Sequence, residues 1–374
     1  MDATLSEGAV RVEANARERY YDSRGYGRPL DGGALELAPV EAAHLLYRGD
    51  LDTVAGPGSE AMEFRAFLAS AAVSETDFLV YKDLRDRGFY LSPVREGHDE
   101  RSAGVDDGAA VGVDDGAAAS VDFTVFPRGS GPWDDEVAHR VRVASEREPV
   151  PAADLGDVVL AIVDEESEIT YLGTERLEPA GSSGADLPDG VPGALLSDRV
   201  FLWDPPARLY ESGFFGQRLD DQRGETLQLS LVEAAYLARR DAVAVGSDNG
   251  ADGADGADGA DAVVARGRAV EGDRFDRRLR VYERLREAGL VPKTGFKFGA
   301  DFRTYADVES VDDLGHSELL VRVLSAGHAF SPRDLALDVR LAHGVRKEMA
   351  FALVDDADDG EGAIRWLSVA RLTP

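Results

Sequence analysis

Tyr305, His316, Arg340 and Lys347 are of types that move protons or hold anions, and all fall between Lys293 and Leu353. The same stretch carries three of the four lysines, Lys293, Lys297 and Lys347, with Lys82 the fourth. Where arginine replaces lysine almost everywhere else, a retained lysine invites a reason. A phenol, an imidazole and an ammonium without a carboxylate cluster suit scission of RNA by its own 2′-hydroxyl. That nucleophile is already tethered beside the phosphorus, so no metal-activated water is needed. A base removes the 2′ proton, an acid protonates the departing 5′ oxygen, and a cation steadies the charge added to the phosphoryl oxygens. His316, with an ordinary pKa of about 6.5, serves as acid or base, and Lys347 suits the cationic role. Tyr305 is a base only if its pKa, ordinarily about 10, is lowered or its proton relayed. The products are a 2′,3′-cyclic phosphate and a 5′-hydroxyl. No metal and no other cofactor is expected.

Other basic groups carry weaker signals. His343 competes with His316 for the imidazole role but reads better as a support residue. His44, His98, His139 and His328 show no ligand spacing. Lys293 and Lys297 either touch phosphate or decorate a strand.

The elements that position these groups belong to a chain of 374 residues, 44% of them hydrophobic, long enough for two to four domains with real cores. The absence of cysteine excludes disulfides, thiolate metal sites and cysteine nucleophiles, and suggests an intracellular, cytoplasmic protein. No signal peptide is expected, nor a membrane partner, since no apolar run approaches the roughly 18 residues needed to span a bilayer. A net charge of −30 ordinarily argues against a nucleic-acid partner. Abundant Ala and Gly, scarce Lys and dispersed carboxylates point instead to a cell that accumulates molar salt. At about 1 M the Debye length is about 3 Å, so distant repulsion is screened and a few local arginines suffice to hold RNA.

The chain is written twice. Tyr20–Asp50 returns as Leu209–Ala242, sharing VEAA (Val40–Ala43, Val232–Ala235) on a helical segment. Phe78–Gly88 matches Leu279–Gly289, both amphipathic helices stopped by glycine. VDFTVFPRG from Val121 matches ADFRTYADV from Ala300 as a short strand, and Val158–Leu177 matches Met349–Leu372 as two apolar strands around an acidic turn. Order and spacing are kept, which reads as a fused tandem duplication.

The expected class is α/β (α+β): in each repeat a small helical or mixed N-terminal domain precedes an α/β domain with a central mixed sheet like that of restriction endonucleases. The boundaries are 1–94 and 121–178 in the first repeat, 199–292 and 293–374 in the second, with a linker over 179–198. Low-complexity insertions over 95–120 (Gly104–Ser120) and 246–262 lack the apolar content to fold. The Asp-Gly runs resemble calcium loops in composition but lack the spaced ligands and closing Glu. Strand, strand, helix, strand, strand is expected in both α/β domains. In the second, Ser331, Pro332 and Asp334 start a helix running to about Arg346. Leu335, Val339 and Ala342 would face the core, with Arg340, His343 and Lys347 on another stripe.

Comparing the repeats filters function. Tyr305 aligns with Phe126, the His316 segment with Asp134–Glu136, and Arg340–Lys347 with Glu148–Val158, where no basic residue remains. One repeat keeps the fold and loses every titratable candidate. Here the motifs GFKFGADFRTY, GHSELLVRV and RLAHGVRKEMAFALVDD resemble the catalytic domain of the archaeal tRNA-splicing endonuclease family, and VEAAYL with FDRRLRVYERLREAGL resembles its N-terminal domain. The similarity covers nearly the whole chain outside linker and insertions, and the layout is similar to the fused two-repeat homodimeric form.

The resemblance implies metal-independent cleavage of precursor tRNA at both intron boundaries, within a bulge-helix-bulge motif. It assigns Tyr305 to the 2′-hydroxyl, His316 to the leaving oxygen and Lys347 to the developing charge. It implies that two arginines clamp a flipped bulge base by stacking, with Arg340 as the first and Arg365, equivalent to Thr170, as the second. It further implies a homodimer in which an acidic loop, Asp164, Glu165, Glu166 and Glu168, docks on the catalytic repeat of the other chain. Two rival readings are a non-catalytic RNA-binding or assembly subunit, and a metal-dependent nuclease of restriction-enzyme-like fold. The intact second-repeat triad opposes the first. Against the second, no Asp with a Glu-x-Lys arrangement is found.

Overall fold

The structure, a computed structural model, describes residues 3–13, 15–56, 58, 60–94, 120–134, 136–219, 225–246, 259–355 and 362–374. The chain forms two compact units, one of residues 1–175, 329–337 and 370–374, the other of 176–328 and 338–369.

In the first unit, Ala3–Ser6 and Ala9–Val12 form an antiparallel hairpin at the centre of a six-stranded sheet. Two of the helices packed in this unit show clear start and stop signals. Pro39–Arg48 has proline in its first turn and ends at Gly49, whose φ of 71° only glycine adopts freely. Glu75–Asp86 is capped by Ser74 Oγ, which accepts the Asp77 N–H at 3.4 Å, and is followed by Gly88 at φ 91°. Tyr20, Leu35, Leu45, Phe67, Tyr81 and Phe123 lie in one buried cluster.

A second sheet follows, in the order Leu91–Pro93, Phe123–Val125, His139–Ser145, Val158–Val163, Ile169–Arg176. Its strands are antiparallel except for the pair His139–Ser145 with Val158–Val163. Since Leu91–Pro93 pairs with Phe123–Val125, this sheet begins ahead of the insertion over 95–120. Of that insertion only Ser120 is among the described residues. The helix expected between the parallel strands is replaced by a three-residue turn, Ala152–Asp154. The connection is short and holds Pro149 and Pro151, which cannot donate helical hydrogen bonds.

The second unit repeats this order. Its first sheet runs Gln217–Leu219, Thr226–Ser230, Arg199–Trp203, Val191–Leu195, Val243–Gly246. The helix Leu231–Ala238 opens with a capping box: Ser230 Oγ accepts the Glu233 N–H at 3.3 Å and the Glu233 carboxylate accepts the Ser230 N–H at 3.1 Å. The expected insertion over 246–262 is shorter in the structure than in the sequence reading. Residues 247–258 lie outside the described residues, but Gly259–Ala262 form the first turn of the helix Gly259–Glu271. Burial of Ala260, Val263 and Val264 explains why these small residues fold. The helix Asp273–Glu287 is followed by Gly289 at φ 77°.

The second α/β sheet has the order Val291–Thr294, Phe302–Tyr305, Leu319–Ser325, Glu348–Val354, Ile364–Leu372, again with only the third and fourth strands parallel. One detail recurs inside each unit. Asp301 receives the Val323 N–H at 2.9 Å, as Asp122 receives the Val143 N–H at 2.7 Å.

The helix Pro332–Gly344 starts where Ser331 caps it, accepting the Asp334 N–H at 3.5 Å, and buries Leu335, Val339 and Ala342 as expected. It ends before Arg346, which is left-handed at φ 55°. Lys347 therefore precedes the Glu348–Val354 strand and does not share a helical stripe with Arg340 and His343. Among the described residues no helix is long and apolar enough to cross a membrane.

Candidate active site

Three strand ends meet at one margin of the second α/β sheet. Tyr305 closes the Phe302–Tyr305 strand, while Leu319 and Glu348 open the next two strands of the sheet. Beyond the regular ladders, backbone bonds tie these ends together: Glu318 N–H donates to Thr304 O at 3.0 Å and Glu348 N–H donates to Glu318 O at 3.1 Å. Tyr305, the His316–Ser317–Glu318 segment and Lys347 are thus brought to one edge by main-chain hydrogen bonds.

Each side chain has a distinct setting. Tyr305 is buried, 7% exposed, in a small cluster with Phe214, Val291 and Val308. Its ring lies 5.7 Å from that of Phe214, tilted by 60°. His316 is exposed. Lys347 is half-buried, and its ammonium donates both to the Ser317 carbonyl and to the Ser317 hydroxyl, the latter at 2.5 Å. Burial, and then the charge of Arg303, push the Lys347 pKa below the ordinary lysine value.

Arg303 is a member of this edge that sequence reasoning passed over. Its guanidinium stands 5.6 Å from the Tyr305 ring centroid, and its Nε is buried with no hydrogen-bond partner. Its equivalent in the first unit is Thr124, since Thr124 pairs with Ser92 as Arg303 pairs with Lys293. The same comparison of repeats that isolated Tyr305 would have isolated it too. Phe298 also faces the site, with the Lys347 ammonium 5.8 Å from its ring centroid.

A family model for the tRNA intron endonuclease catalytic C-terminal domain matches residues 275–366, and one for the N-terminal domain of the same family matches twice, at 1–68 and 191–252. The chain is 59% identical over 374 residues to the tRNA-splicing endonuclease of Haloarcula marismortui, covering all of both chains. It is 57% identical over 376 residues to that of Haloferax volcanii, again over the full length of both. To that of Methanosarcina acetivorans it is 35% identical over 390 residues, covering 100% of this chain and 99% of the other. The chain belongs to the tRNA intron endonuclease family.

The residues of the first unit at the same positions differ from those expected of an endonuclease site. Ala138 N–H donates to Val125 O at 2.8 Å as Glu318 N–H donates to Thr304 O, which places Phe126 at the Tyr305 position and Glu136 at that of His316. The parallel ladders match Val141 with Val159 and Val321 with Ala350, so Gly156 stands where Lys347 does.

The remaining expected site residues are placed as follows. Arg340 is exposed on the Pro332–Gly344 helix. Arg365 is half-buried opposite Leu353, as Thr170 lies opposite Ile162, so the two occupy equivalent ladder positions. In the acidic turn, Asp164 is turned inward: one carboxylate oxygen accepts the N–H groups of Glu166 and Glu168 at 2.9 and 2.8 Å. Glu165, Glu166 and Glu168 are exposed, with Glu165 paired to Arg147 at 2.5 Å.

Proposed function

We propose that the chain is a tRNA-splicing endonuclease that cuts precursor tRNA at both intron–exon junctions in a bulge-helix-bulge motif, independently of metal. Cleavage leaves a 2′,3′-cyclic phosphate and a 5′-hydroxyl. Tyr305 acts on the 2′-hydroxyl, with or without relay; His316 hands a proton to the 5′ oxygen; Lys347 holds the phosphoryl charge. The observation that carries this reading is the convergence of Tyr305, His316 and Lys347 at one sheet margin, stitched together through Thr304, Ser317 and Glu318.

In this reading the chain is a tandem duplication with an architectural first repeat. Support comes from the double match of the N-terminal family model and from Phe126, Glu136 and Gly156 at the three catalytic positions. Arg340 and Arg365 clamp a bulge base by stacking. Two chains form a homodimer through the turn carrying Asp164, Glu165, Glu166 and Glu168. The enzyme works in a cytoplasm rich in salt, as its likeness to the Haloarcula and Haloferax proteins and its net charge of −30 suggest.

The deciding experiment incubates the protein at molar salt with a bulge-helix-bulge RNA in the presence of a chelator. Persistence of cleavage, with cyclic phosphate ends, supports the reading; loss of cleavage under chelation would replace it with metal-dependent hydrolysis.

A further inference from the structure

We propose that Phe214 and Lys293 form a device that positions the Tyr305 phenol, built only into the second repeat. The inference rests on the reading of Tyr305 as a catalytic residue.

Lys293, on the Val291–Thr294 strand, is left without a clear role by the sequence. Its ammonium is nearly enclosed, with 10% of the side chain exposed, and spends its three donors on Phe214 O at 3.1 Å, Gly216 O at 2.8 Å and Glu233 Oε1 at 2.9 Å. The Glu233 carboxylate is equally committed, receiving the Gly216 N–H at 2.9 Å and the Ser230 N–H at 3.1 Å. The turn 214–216 is thereby tied to the strand that pairs with Tyr305. From that turn the Phe214 ring reaches the Tyr305 ring, and the Lys293 ammonium stands 4.8 Å from the Phe214 centroid. Phe214 holds this pose at φ 49°, a left-handed backbone that a bulky residue rarely adopts. Strain of this kind persists where surrounding contacts over-determine it, and it collects at functional sites.

The first unit shows which parts of the arrangement are scaffold. There Glu41 receives the Gly27 N–H at 2.6 Å just as Glu233 receives that of Gly216, and Arg85 donates to Arg24 O at 2.9 Å as Arg286 donates to Gly213 O at 2.9 Å. These bonds align Gly25 with Phe214, and the strand register aligns Ser92 with Lys293. Gly25, at φ 66°, takes the left-handed position without penalty. The first repeat therefore keeps the glutamate, the glycine turn and the arginine, yet lacks the ring, the lysine and the phenol together. A lock needed only for folding would have been kept in both. A buried ion pair is in any case weak support for stability compared with apolar packing, which leaves geometry as the job that retains it.

The test is a double-mutant cycle on the full-length protein with a bulge-helix-bulge RNA, reading single-turnover rate and RNA affinity separately. Phe214→Gly installs the residue that the first unit accommodates at this backbone position, so a folded variant is expected, checked by its thermal melt. The expected result is a roughly tenfold loss of rate with RNA affinity within about twofold, and no further loss when Phe214→Gly is added to Tyr305→Phe. Phe214→Tyr, which restores a ring, should recover most of the rate. Lys293→Met should match Phe214→Gly in rate. A full-rate Phe214→Gly, or an equal additional loss in the Tyr305→Phe background, overturns the proposal while leaving the catalytic reading intact. A full-rate Tyr305→Phe overturns both.

Discussion

Lys347 holds Ser317, the residue next to His316, by donating its ammonium to both the carbonyl and the hydroxyl oxygen of that serine. The cation and the imidazole are therefore mechanically linked through one buried residue, Ser317 being 6% exposed. Two of the three N–H donors are used on Ser317, and the proposed role at the phosphoryl oxygens calls on the third.

Lys347→Ala removes both the positive charge and the tether on the His316 segment. A rate loss of about 10²- to 10³-fold is expected, in line with loss of one preorganised donor to a developing oxyanion. Binding of the RNA should change little. Ser317→Ala, which leaves the charge but frees one of its anchors, should fall between Lys347→Ala and the parent protein. Single-turnover cleavage beside a filter-binding titration measures both.

The pH profile should report Arg303. Burial first, and then the Arg303 charge, lower the Lys347 pKa, so the alkaline limb of the rate should set in below the ordinary lysine value of 10.5. Arg303→Met takes away the like charge, favours the ammonium, and should move that limb to higher pH. A limb that stays in place, or moves the other way, would detach it from Lys347.

Glu233 governs stability in acid. Burial raises its pKa, but the Lys293 ammonium and the N–H groups of Gly216 and Ser230 override that and hold it at about 2, against 4.5 for a free glutamate. A carboxyl held below its ordinary value stabilises the fold above pH 4.5, and that contribution is lost as pH falls from 4.5 towards 2. Glu233→Gln should flatten that part of the stability profile in urea melts between pH 5 and pH about 2.5, while lowering stability at neutral pH because Lys293 is left buried without its partner.

These relationships were unevenly legible in the amino-acid order. Strand and helix periodicity exposed the α/β sheets, and the paired motifs located Tyr305, Arg365 and the acidic turn at matching register positions in the two units. Other features escaped it, among them three that bear on the second unit. The helix over Pro332–Gly344 ends early because Arg346 turns left-handed, a local choice that helical periodicity does not encode. The helical turn over Gly259–Ala262 forms because burial of the neighbouring valines overrides a composition that reads as unfolded. Arg303 and Lys293 point their charges into places fixed by partners far along the chain, as in the Lys293 bond to Glu233 sixty residues away, and no spacing rule reveals that.

The acidic turn allows its fold to be separated from the docking role proposed for it. Asp164 shapes the turn, accepting the N–H groups of Glu166 and Glu168, and a third bond runs from Asp164 N–H to Glu168 O at 3.1 Å. Asp164→Ala should therefore cost about 1–2 kcal/mol of stability as well as any assembly. Glu165, Glu166 and Glu168 point outward and contribute little to folding, because exposed pairs such as Glu165 with Arg147 are worth at most about 1 kcal/mol. Changing all three to Gln should leave the melting temperature within about 2 °C yet shift the sedimentation profile from dimer to monomer and lower cleavage in parallel. Because about 1 M salt screens beyond about 3 Å, the shift should persist there only if the carboxylates meet their partners in direct contact. A triple variant that stays dimeric and fully active would move the dimer interface elsewhere on the chain.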